Sequence, residues 1–198
     1  MARPRKFDEE RVIHAVRDEF WDKGYAATSL EDLLRVSGLG KGSLYGAFGD
    51  KHTLFLRVLR EYDDANLLTL RANLESAARG IDLVRAFVLG PVADPSGAAA
   101  RRGCLLANSN AELATTTPEV AAEARRSYDA ITVILTEALE RARHEGDLAP
   151  DADPADTARA VLVAQLGLTA LGRTGMDTDS LSAAARSVLA RLLPPRTR

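Results

Sequence analysis

The segment from Gly38 to Lys51 holds the residues best suited to binding an anion. It reads GLGKGSLYGAFGDK and combines five glycines with Lys41, Ser43 and Tyr45. Glycine leaves backbone amides open to an approaching oxygen, and a lysine or hydroxyl beside them suits a phosphate group. The phosphate belongs either to a nucleotide or to the backbone of a nucleic acid.

A nucleotide-binding loop does not fit the surroundings of these glycines. Such a loop follows a buried strand, and in the P-loop form its lysine directly precedes serine or threonine. Lys41 is followed by Gly42, and the preceding residues place Leu30, Leu33 and Leu34 at helical spacing. Two short helices joined by a tight turn fit better, since this arrangement lets the second helix enter the major groove of DNA.

Helical spacing of apolar residues continues along almost the whole chain. It predicts an all-α fold of about nine helices, and no segment alternates convincingly as a strand would. The predicted helices cover about 8–23, 28–38, 42–48, 51–79, 82–92, 104–114, 118–145, 154–171 and 179–192. Residues 93–103 are predicted as a loop. Thr28 to Glu31 predicts a capping box, and Gly80 predicts the end of the fourth helix.

Composition excludes several classes of protein. The chain has 198 residues, 27% of them charged, and a net charge of −2. No apolar run reaches the length of a membrane span and the N-terminus lacks a signal peptide, so we expect a cytoplasmic protein of one large or two small domains. A single cysteine and three scattered histidines predict no internal disulfide, no metal site and no cofactor.

Basic side chains are concentrated around the glycine-rich segment. Between residues 33 and 60 the one acidic residue is Asp50, and five residues are cationic: Arg35, Lys41, Lys51, Arg57 and Arg60. A local patch of this kind can bind a polyanion although the whole chain is slightly acidic. The overall charge therefore does not exclude a nucleic-acid partner.

Three stretches together resemble the DNA-binding domain of TetR-family repressors. They are Thr28-Ser-Leu-Glu-Asp-Leu-Leu, Ser37-Gly-Leu-Gly-Lys-Gly-Ser-Leu-Tyr45 and Phe48-Gly-Asp-Lys51. The resemblance implies an all-helical homodimer, with a helix-turn-helix DNA-binding domain of three helices at residues 1–50. It implies a helical ligand-binding and dimerisation domain at residues 51–198, in which a small molecule binds and lowers the affinity for operator DNA.

The residues expected to contact DNA follow from matching this chain to the family pattern, position by position. They are Thr28, Ser29, Lys41, Gly42, Ser43, Tyr45 and Lys51. Gly40 stands where the family usually has a capping serine, and Gly46 where it often has a large side chain that contacts DNA. We therefore expect weaker base readout and more reliance on phosphate contacts. Arg3, Arg5 and Lys6 form either an arm near the minor groove or a solvated tail.

The second half of the chain is expected to enclose a largely apolar ligand cavity. Its predicted walls are Leu67, Leu70, Phe87, Cys104, Leu105, Asn108, Tyr128 and Leu168. The apolar side chains among them have a simpler explanation as core residues. Asn108, with Asn110 and Glu112 on the same short helix, either orients a ligand or serves to cap the helix or face water.

Cys104 offers a second form of regulation. Residues 101–112, RRGCLLANSNAE, resemble a Gly-Cys-Leu stretch in one branch of the family, and the cysteine of some such relatives senses electrophiles or oxidants. A position in the first turn of a helix beside Arg101 and Arg102 would make the thiol more reactive. The alternative is a small buried core residue. An enzyme that uses Cys104 as a nucleophile is disfavoured, because no Cys-His motif accompanies it.

The last two predicted helices are rich in alanine, glycine and leucine, which lets helices approach closely. We expect two such helices from each subunit to form a four-helix homodimer interface. The sequence thus predicts a ligand-responsive transcriptional repressor, not an enzyme, that leaves double-stranded operator DNA when a small, largely apolar effector binds. A regulator that responds to oxidation or alkylation of Cys104 is the alternative.

Overall fold

The computed structural model describes residues 7–193, which form ten α-helices, one 3-10 turn at Gly90–Val92 and no β-strand. The helices are α1 (Glu9–Lys23), α2 (Leu30–Ser37), α3 (Lys41–Phe48), α4 (Lys51–Ser76), α5 (Gly80–Leu89), α6 (Ala98–Arg102), α7 (Leu105–Leu113), α8 (Pro118–Glu145), α9 (Pro154–Arg173) and α10 (Thr178–Leu192). The predicted all-α fold is confirmed, and α6 adds a short helix inside the segment predicted as a loop. Arg3, Arg5 and Lys6 lie outside the described residues.

Several helices begin at an acidic side chain that accepts a hydrogen bond from an amide of the first turn. These N-terminal caps are Asp8, Asp50, Asp153 and Asp177. The predicted capping box of α2 is displaced by one residue. Ser29 Oγ accepts from the amide of Asp32 at 3.1 Å, and Asp32 Oδ2 accepts from the amide of Ser29 at 3.0 Å. Thr28 is not the cap because its hydroxyl is used elsewhere.

The connection between α4 and α5 differs from the prediction because of close helix packing. α4 ends at Ser76, and Gly80 begins α5 instead of ending α4. A Cβ atom on Gly80 would overlap the carbonyl oxygen of Ala138 and lie 2.9 Å from the amide nitrogen of Ala142, both on α8. The Gly80 amide donates to Glu145 Oε2 at 2.9 Å. Glycine is therefore required at position 80 for close contact with α8, not to end a helix.

The chain packs around two hydrophobic cores, and α4 contributes to both. The N-terminal core joins α1, α2, α3 and the first half of α4 to α7 and the start of α8. The C-terminal core joins α5, α8, α9 and α10 to the end of α4. Phe55 of α4 packs edge-to-face on Phe20 of α1, with ring centroids 5.1 Å apart, while Leu74 is buried in the C-terminal core. The predicted division at residue 50 lies just before this shared helix and stays a prediction.

Residues 7–193 contain neither a membrane-spanning helix nor a cluster of metal-binding side chains. None of the helices there is long and apolar enough to cross a membrane. In the same range, His, Cys, Asp and Glu side chains do not gather in groups of three or more that could hold a metal ion.

The packing at Gly80 predicts a large difference between two glycine substitutions. Gly80→Ala should lower the free energy of unfolding by about 1–3 kcal/mol, because backbone atoms of α8 must move to admit the methyl group. Gly46→Ala is the matched control: at this exposed position inside α3, a Cβ would have no heavy atom of the described chain within 4 Å, apart from its chain neighbours and the backbone of its own helix. Alanine there should stabilise the protein by about 0.5–1 kcal/mol. Denaturant unfolding measures both, and equal effects would contradict the packing described here.

Candidate nucleic-acid interface and internal cavity

The turn between α2 and α3 depends on a left-handed glycine. Gly38 ends α2 with φ 69° and ψ 16°, and its amide donates to the Leu34 carbonyl at 3.0 Å. Glycine is favoured in this left-handed conformation because glycine has no Cβ. After the turn, Leu44 and Phe48 of α3 are buried in the N-terminal core with Leu33 of α2. Two short helices are thus fixed against α1 in a helix-turn-helix arrangement.

The exposed start of α3 carries four of the residues predicted to contact DNA. Lys41, Gly42 and Ser43 are exposed, and Tyr45 is half-buried. Gly40 precedes them as the N-terminal cap and forms no side-chain hydrogen bond. Among residues 7–193, no capping side chain therefore occupies the first-turn amides of α3, which are groups that bind phosphate oxygens well.

The cationic patch is smaller than the sequence suggests. Arg35, Arg57 and Arg60 form ion pairs with carboxylates. Lys41 has no ion-pair partner between residues 7 and 193 and keeps its charge available. The Nζ of Lys51 lies 4.3 Å from the centre of the Tyr25 ring, a cation–π contact at the start of α4. The two lysines on α3 and α4 are consequently the best-placed cations for a phosphate backbone.

Thr28 and Ser29, both predicted to bind phosphate, differ in their surroundings. Ser29 is exposed at the start of α2. Thr28 is only 1% exposed, and its hydroxyl donates to the Gly24 carbonyl at 2.7 Å. The prediction that the Thr28 side chain contacts DNA is therefore corrected: its hydroxyl closes the α1–α2 turn and does not face solvent.

Four charged side chains hold α1 and α2 together. Lys23 lies 2.7 Å from Glu19 and from Asp32, and Arg35 bridges the same two carboxylates at 2.9 and 3.1 Å. The Lys23 ammonium, followed by the Ser29 amide, holds the pKa of Asp32 far below its usual value. A network of alternating charges restrains two helices better than isolated surface pairs do.

A cavity of about 960 Å³ lies next to α4 and is walled mainly by leucine, alanine and aromatic side chains. Five of the residues predicted to line a ligand cavity do line it, and they are Leu67, Leu70, Phe87, Cys104 and Tyr128. Burial, followed by the neighbouring Cys104 and Asp63, raises the pKa of the Tyr128 hydroxyl to about 12. Tyr128 therefore offers a neutral hydroxyl to the cavity at physiological pH.

The other three predicted cavity residues do not line this cavity. Leu105 is buried in the N-terminal core and Leu168 in the C-terminal core, because both helices turn these positions toward their neighbours. Asn108 donates from Nδ2 to the Arg102 carbonyl at 3.0 Å, which ties α7 to the end of α6. Helical spacing identified Leu105 and Leu168 as inward-facing and did not separate core positions from cavity positions.

Several polar or aromatic residues of the cavity wall were missed by the sequence analysis, and five of them matter most for its chemistry. They are Trp21, Tyr62, Asp63, Asp82 and Arg102. Asp63 is buried, accepts from the Ser127 hydroxyl and lies 2.9 Å from Arg126 Nη2. Burial raises the pKa of Asp63, and the bonds from Ser127 and Arg126 oppose this rise. One sequence feature could have indicated a role for Trp21 in the cavity wall, since it is the single tryptophan of the chain.

Cys104 precedes α7 as its N-terminal cap and is half-buried at the cavity wall. The Tyr62 hydroxyl donates to Cys104 Sγ at 3.6 Å. The two arginines predicted to activate the thiol are directed elsewhere: Arg101 donates to the Ser96 carbonyl, and Arg102 pairs with Asp22. Tyr62 is thus the polar side chain that contacts the thiol, and its own pKa is raised well above normal, chiefly by burial.

Glu112 connects α7 directly to the turn between α1 and α2. Its two carboxylate oxygens accept from the amides of Tyr25 at 3.0 Å and Ala26 at 2.8 Å. Gly24 makes this approach possible, since a Cβ there would lie 2.8 Å from Glu112 Oε2. The polar side of α7 predicted either to orient a ligand or to face water therefore serves, at Glu112, to join α7 to the helix-turn-helix unit.

Comparison with known proteins agrees with both parts of this architecture. Residues 12–58 match the family model of bacterial regulatory proteins of the tetR family. Residues 80–188 match the model of the tetracyclin repressor-like C-terminal domain.

Relatives along the whole chain are transcriptional regulators by name. The HTH-type transcriptional regulator YezE of Bacillus subtilis (strain 168) is 30% identical over 185 residues, covering 91% of this chain and 94% of YezE. The HTH-type transcriptional repressor ComR of Escherichia coli (strain K12) is 25% identical, covering 98% of this chain and 92% of ComR. A solved complex of a cysteine mutant of the TetR family regulator CifR with 26-bp operator DNA has a TM-score of 0.80 and 27% identity, covering 98% of this chain and all of that one.

The helix-turn-helix unit, its exposed α3 and these matches define a DNA-binding regulator of transcription. The chain belongs to the TetR family of bacterial regulatory proteins.

The Glu112 contact predicts a local effect on the α1–α2 turn. Glu112→Ala should lower the free energy of unfolding by about 1–2 kcal/mol, because two backbone amides lose a charged acceptor. Hydrogen exchange at the Tyr25 and Ala26 amides should accelerate more than exchange in α3. Glu140→Ala, at an exposed position of α8, is the charge-matched control and should leave those amides unchanged. Unaltered exchange in the Glu112 variant would show that the contact does not hold the turn.

Proposed function

We propose that this chain is a ligand-responsive repressor that binds operator DNA as a homodimer and releases it when an effector occupies the cavity beside α4. The observation that carries the proposal is the continuity of α4. Its first half packs on the helix-turn-helix unit through residues such as Phe55, while Leu67 and Leu70 further along line the cavity. A ligand that displaces the second half of α4 must also act on the first.

DNA contact is assigned to the start of α3 and its neighbours. The start of α3 enters the major groove and binds the DNA backbone through Lys41, Ser43, Tyr45 and the open amides around Gly42. Ser29 and Lys51 bind flanking phosphates. The absence of a side chain at Gly46 shifts affinity toward phosphate contacts. The solved operator complex of CifR and the name of ComR as a repressor support the proposal that this chain binds operator DNA.

The homodimer is assigned to α9 and α10. On α9, Val163 is 70% exposed and Leu171 is exposed. A Cβ on Gly167 would have no heavy atom of the described residues within 4 Å, apart from its chain neighbours and the backbone of its own helix. These residues recur at helical spacing and leave an apolar stripe that a second subunit can cover. Two-fold symmetry then spaces the two α3 helices by about 34–36 Å, one turn of DNA.

Regulation is assigned to a shift between two populations of the dimer. Effector binding moves α4, which changes the separation of the two α3 helices and prevents both from fitting the operator together. A coupling free energy of about 1–3 kcal/mol, or roughly 5- to 150-fold in DNA affinity, is enough for such control.

Substitutions on α3 test the DNA assignment. After the operator is recovered by selecting the genomic fragments that the protein binds, Lys41→Ala should weaken operator binding. It should also reduce the slope of log affinity against log salt by about one for each phosphate that the variant no longer binds. Tyr45→Ala should weaken binding with less effect on the salt slope. Arg85→Ala, at an exposed position of α5, is the cationic control. Wild-type affinity in both α3 variants, measured on folded dimers, would refute the assignment.

A second candidate function is supported by the position of Cys104. The thiol lines the cavity and contacts Tyr62, so an adduct formed there would occupy effector space beside α4. In this case the input is alkylation or oxidation instead of reversible binding.

Cys104→Ser separates the two candidates. If the thiol is the sensor, N-ethylmaleimide should release wild-type protein from its operator and leave the variant bound. Because the chain has one cysteine, mass spectrometry should find a single adduct. Release of both proteins, or of neither, would exclude regulation through Cys104.

A further inference from the structure

Asp82 brings a carboxylate to the wall of the cavity beside α4. It lies in the first turn of α5, and Leu83, Ala86 and Phe87 of the same helix line the cavity with it at helical spacing. Asp82 is exposed, so a molecule that enters the cavity can reach it. The dipole of α5 favours an acid in this first turn but offsets only about half of a unit charge.

The Asp82 carboxylate has no cationic partner between residues 7 and 193. Its backbone amide donates to the Arg79 carbonyl at 3.1 Å, but within that range its carboxylate oxygens take part in no ion pair and no hydrogen bond. The Arg79 side chain pairs with Asp147 at 2.8 Å. Arg85, one turn further along α5, does not line the cavity and forms no ion pair with a described residue. The negative charge of Asp82 is therefore left uncompensated by the described chain.

The other charged residues of the cavity wall are already paired. Asp63 is buried and lies 2.9 Å from Arg126 Nη2. Arg102, the one cation of the wall, lies 2.8 Å from Asp22 of α1. Within the described part of the chain, the one charge of the wall that lacks a partner is thus the negative charge of Asp82.

We propose that the effector is an amphiphilic organic cation, with an ammonium or similar group that pairs with Asp82 and an apolar body that lies against Leu70 and Phe87. This inference rests on the proposed function of the cavity and specifies the charge of its ligand. A cleft with charge of one sign and apolar walls raises the local concentration of molecules of opposite charge. An anionic effector would meet like charge at Asp82, and a neutral one would leave the carboxylate unpaired.

The position of Asp82 sets where such a ligand acts. Asn73, in the last turn of α4, lines the same cavity as Asp82. The start of α5 is held against α8, because Gly80 packs on the α8 backbone and its amide donates to Glu145. A ligand paired with Asp82 is therefore anchored on a fixed neighbour, from which its apolar body acts on α4 at Leu70.

The test compares three probes that share one naphthalene ring and differ in charge: 2-(2-naphthyl)ethylammonium, 2-(2-naphthyl)ethanol and 3-(2-naphthyl)propanoate. Their affinities for the full-length protein are measured by equilibrium dialysis without DNA, at neutral pH and constant ionic strength. Asp82→Asn removes the charge and keeps the shape of the side chain. Glu140→Gln, at an exposed position of α8 outside the cavity wall, is the charge-matched control.

The wild-type protein should bind the ammonium about 3- to 10-fold more tightly than the alcohol, and the carboxylate most weakly. Asp82→Asn should weaken the ammonium by about 3- to 10-fold and change the alcohol by less than about 2-fold. Glu140→Gln should change neither. Phe87→Leu, on the apolar wall, should weaken both probes similarly if they occupy the cavity.

Four results would overturn the proposal. They are equal affinity of the wild-type protein for the ammonium and the alcohol, an unchanged preference in Asp82→Asn, ammonium binding that Phe87→Leu does not affect, and no binding of any probe to the wild-type protein. Because DNA is absent, each of these results leaves the operator-binding test of Lys41 and Tyr45 independent.

Discussion

The continuity of α4 is the constraint on which the rest of the structure depends. A helix of 26 residues shares its apolar side chains between two cores, so neither core can move along or around it without the other responding. Close-packed interiors transmit small displacements instead of absorbing them. Contacts outside α4 reinforce the coupling, since Glu112 binds the α1–α2 turn and Arg102 pairs with α1. The helix-turn-helix unit is therefore attached to the cavity walls at several points, not through a flexible linker.

Local signals in the sequence predicted the helices and the recognition unit well, because those features are set by residues close together in the chain. Helical spacing and terminal signals located α8, with its end at Gly146, and the glycine-punctuated segment of α2 and α3. Errors arose where tertiary contact overrides the local signal. Gly80 looks like a helix end, but it is a point of close approach to α8. Thr28 looks like a capping residue, but its hydroxyl bonds to the Gly24 carbonyl.

The cavity was predicted less completely, for a physical reason. Apolar spacing shows which side of a helix faces inward, and this was enough to find Leu67, Leu70 and Phe87. It cannot show whether the inward side meets another side chain or open space, and so Leu105 and Leu168 were assigned to a wall they do not form. Apolar spacing also does not show that Trp21 of α1 reaches a cavity built mostly from later helices. That placement depends on contacts between residues far apart in sequence, such as Arg102 with Asp18.

In the function proposed above, the distribution of charge would link weak individual contacts with DNA to effective regulation. Arg35, Arg57 and Arg60 near α3 are paired with carboxylates, so the proposed DNA contacts are few: Lys41, Lys51 and a few helix amides. With so few contacts in each subunit of the proposed homodimer, we expect tight binding to require both subunits to engage one operator together. Simultaneous engagement depends steeply on the spacing between the two α3 helices. Under the proposed mechanism, a small movement of α1 or α4 would cost a whole half-site instead of one hydrogen bond, so a ligand of modest affinity would have a large effect on DNA binding.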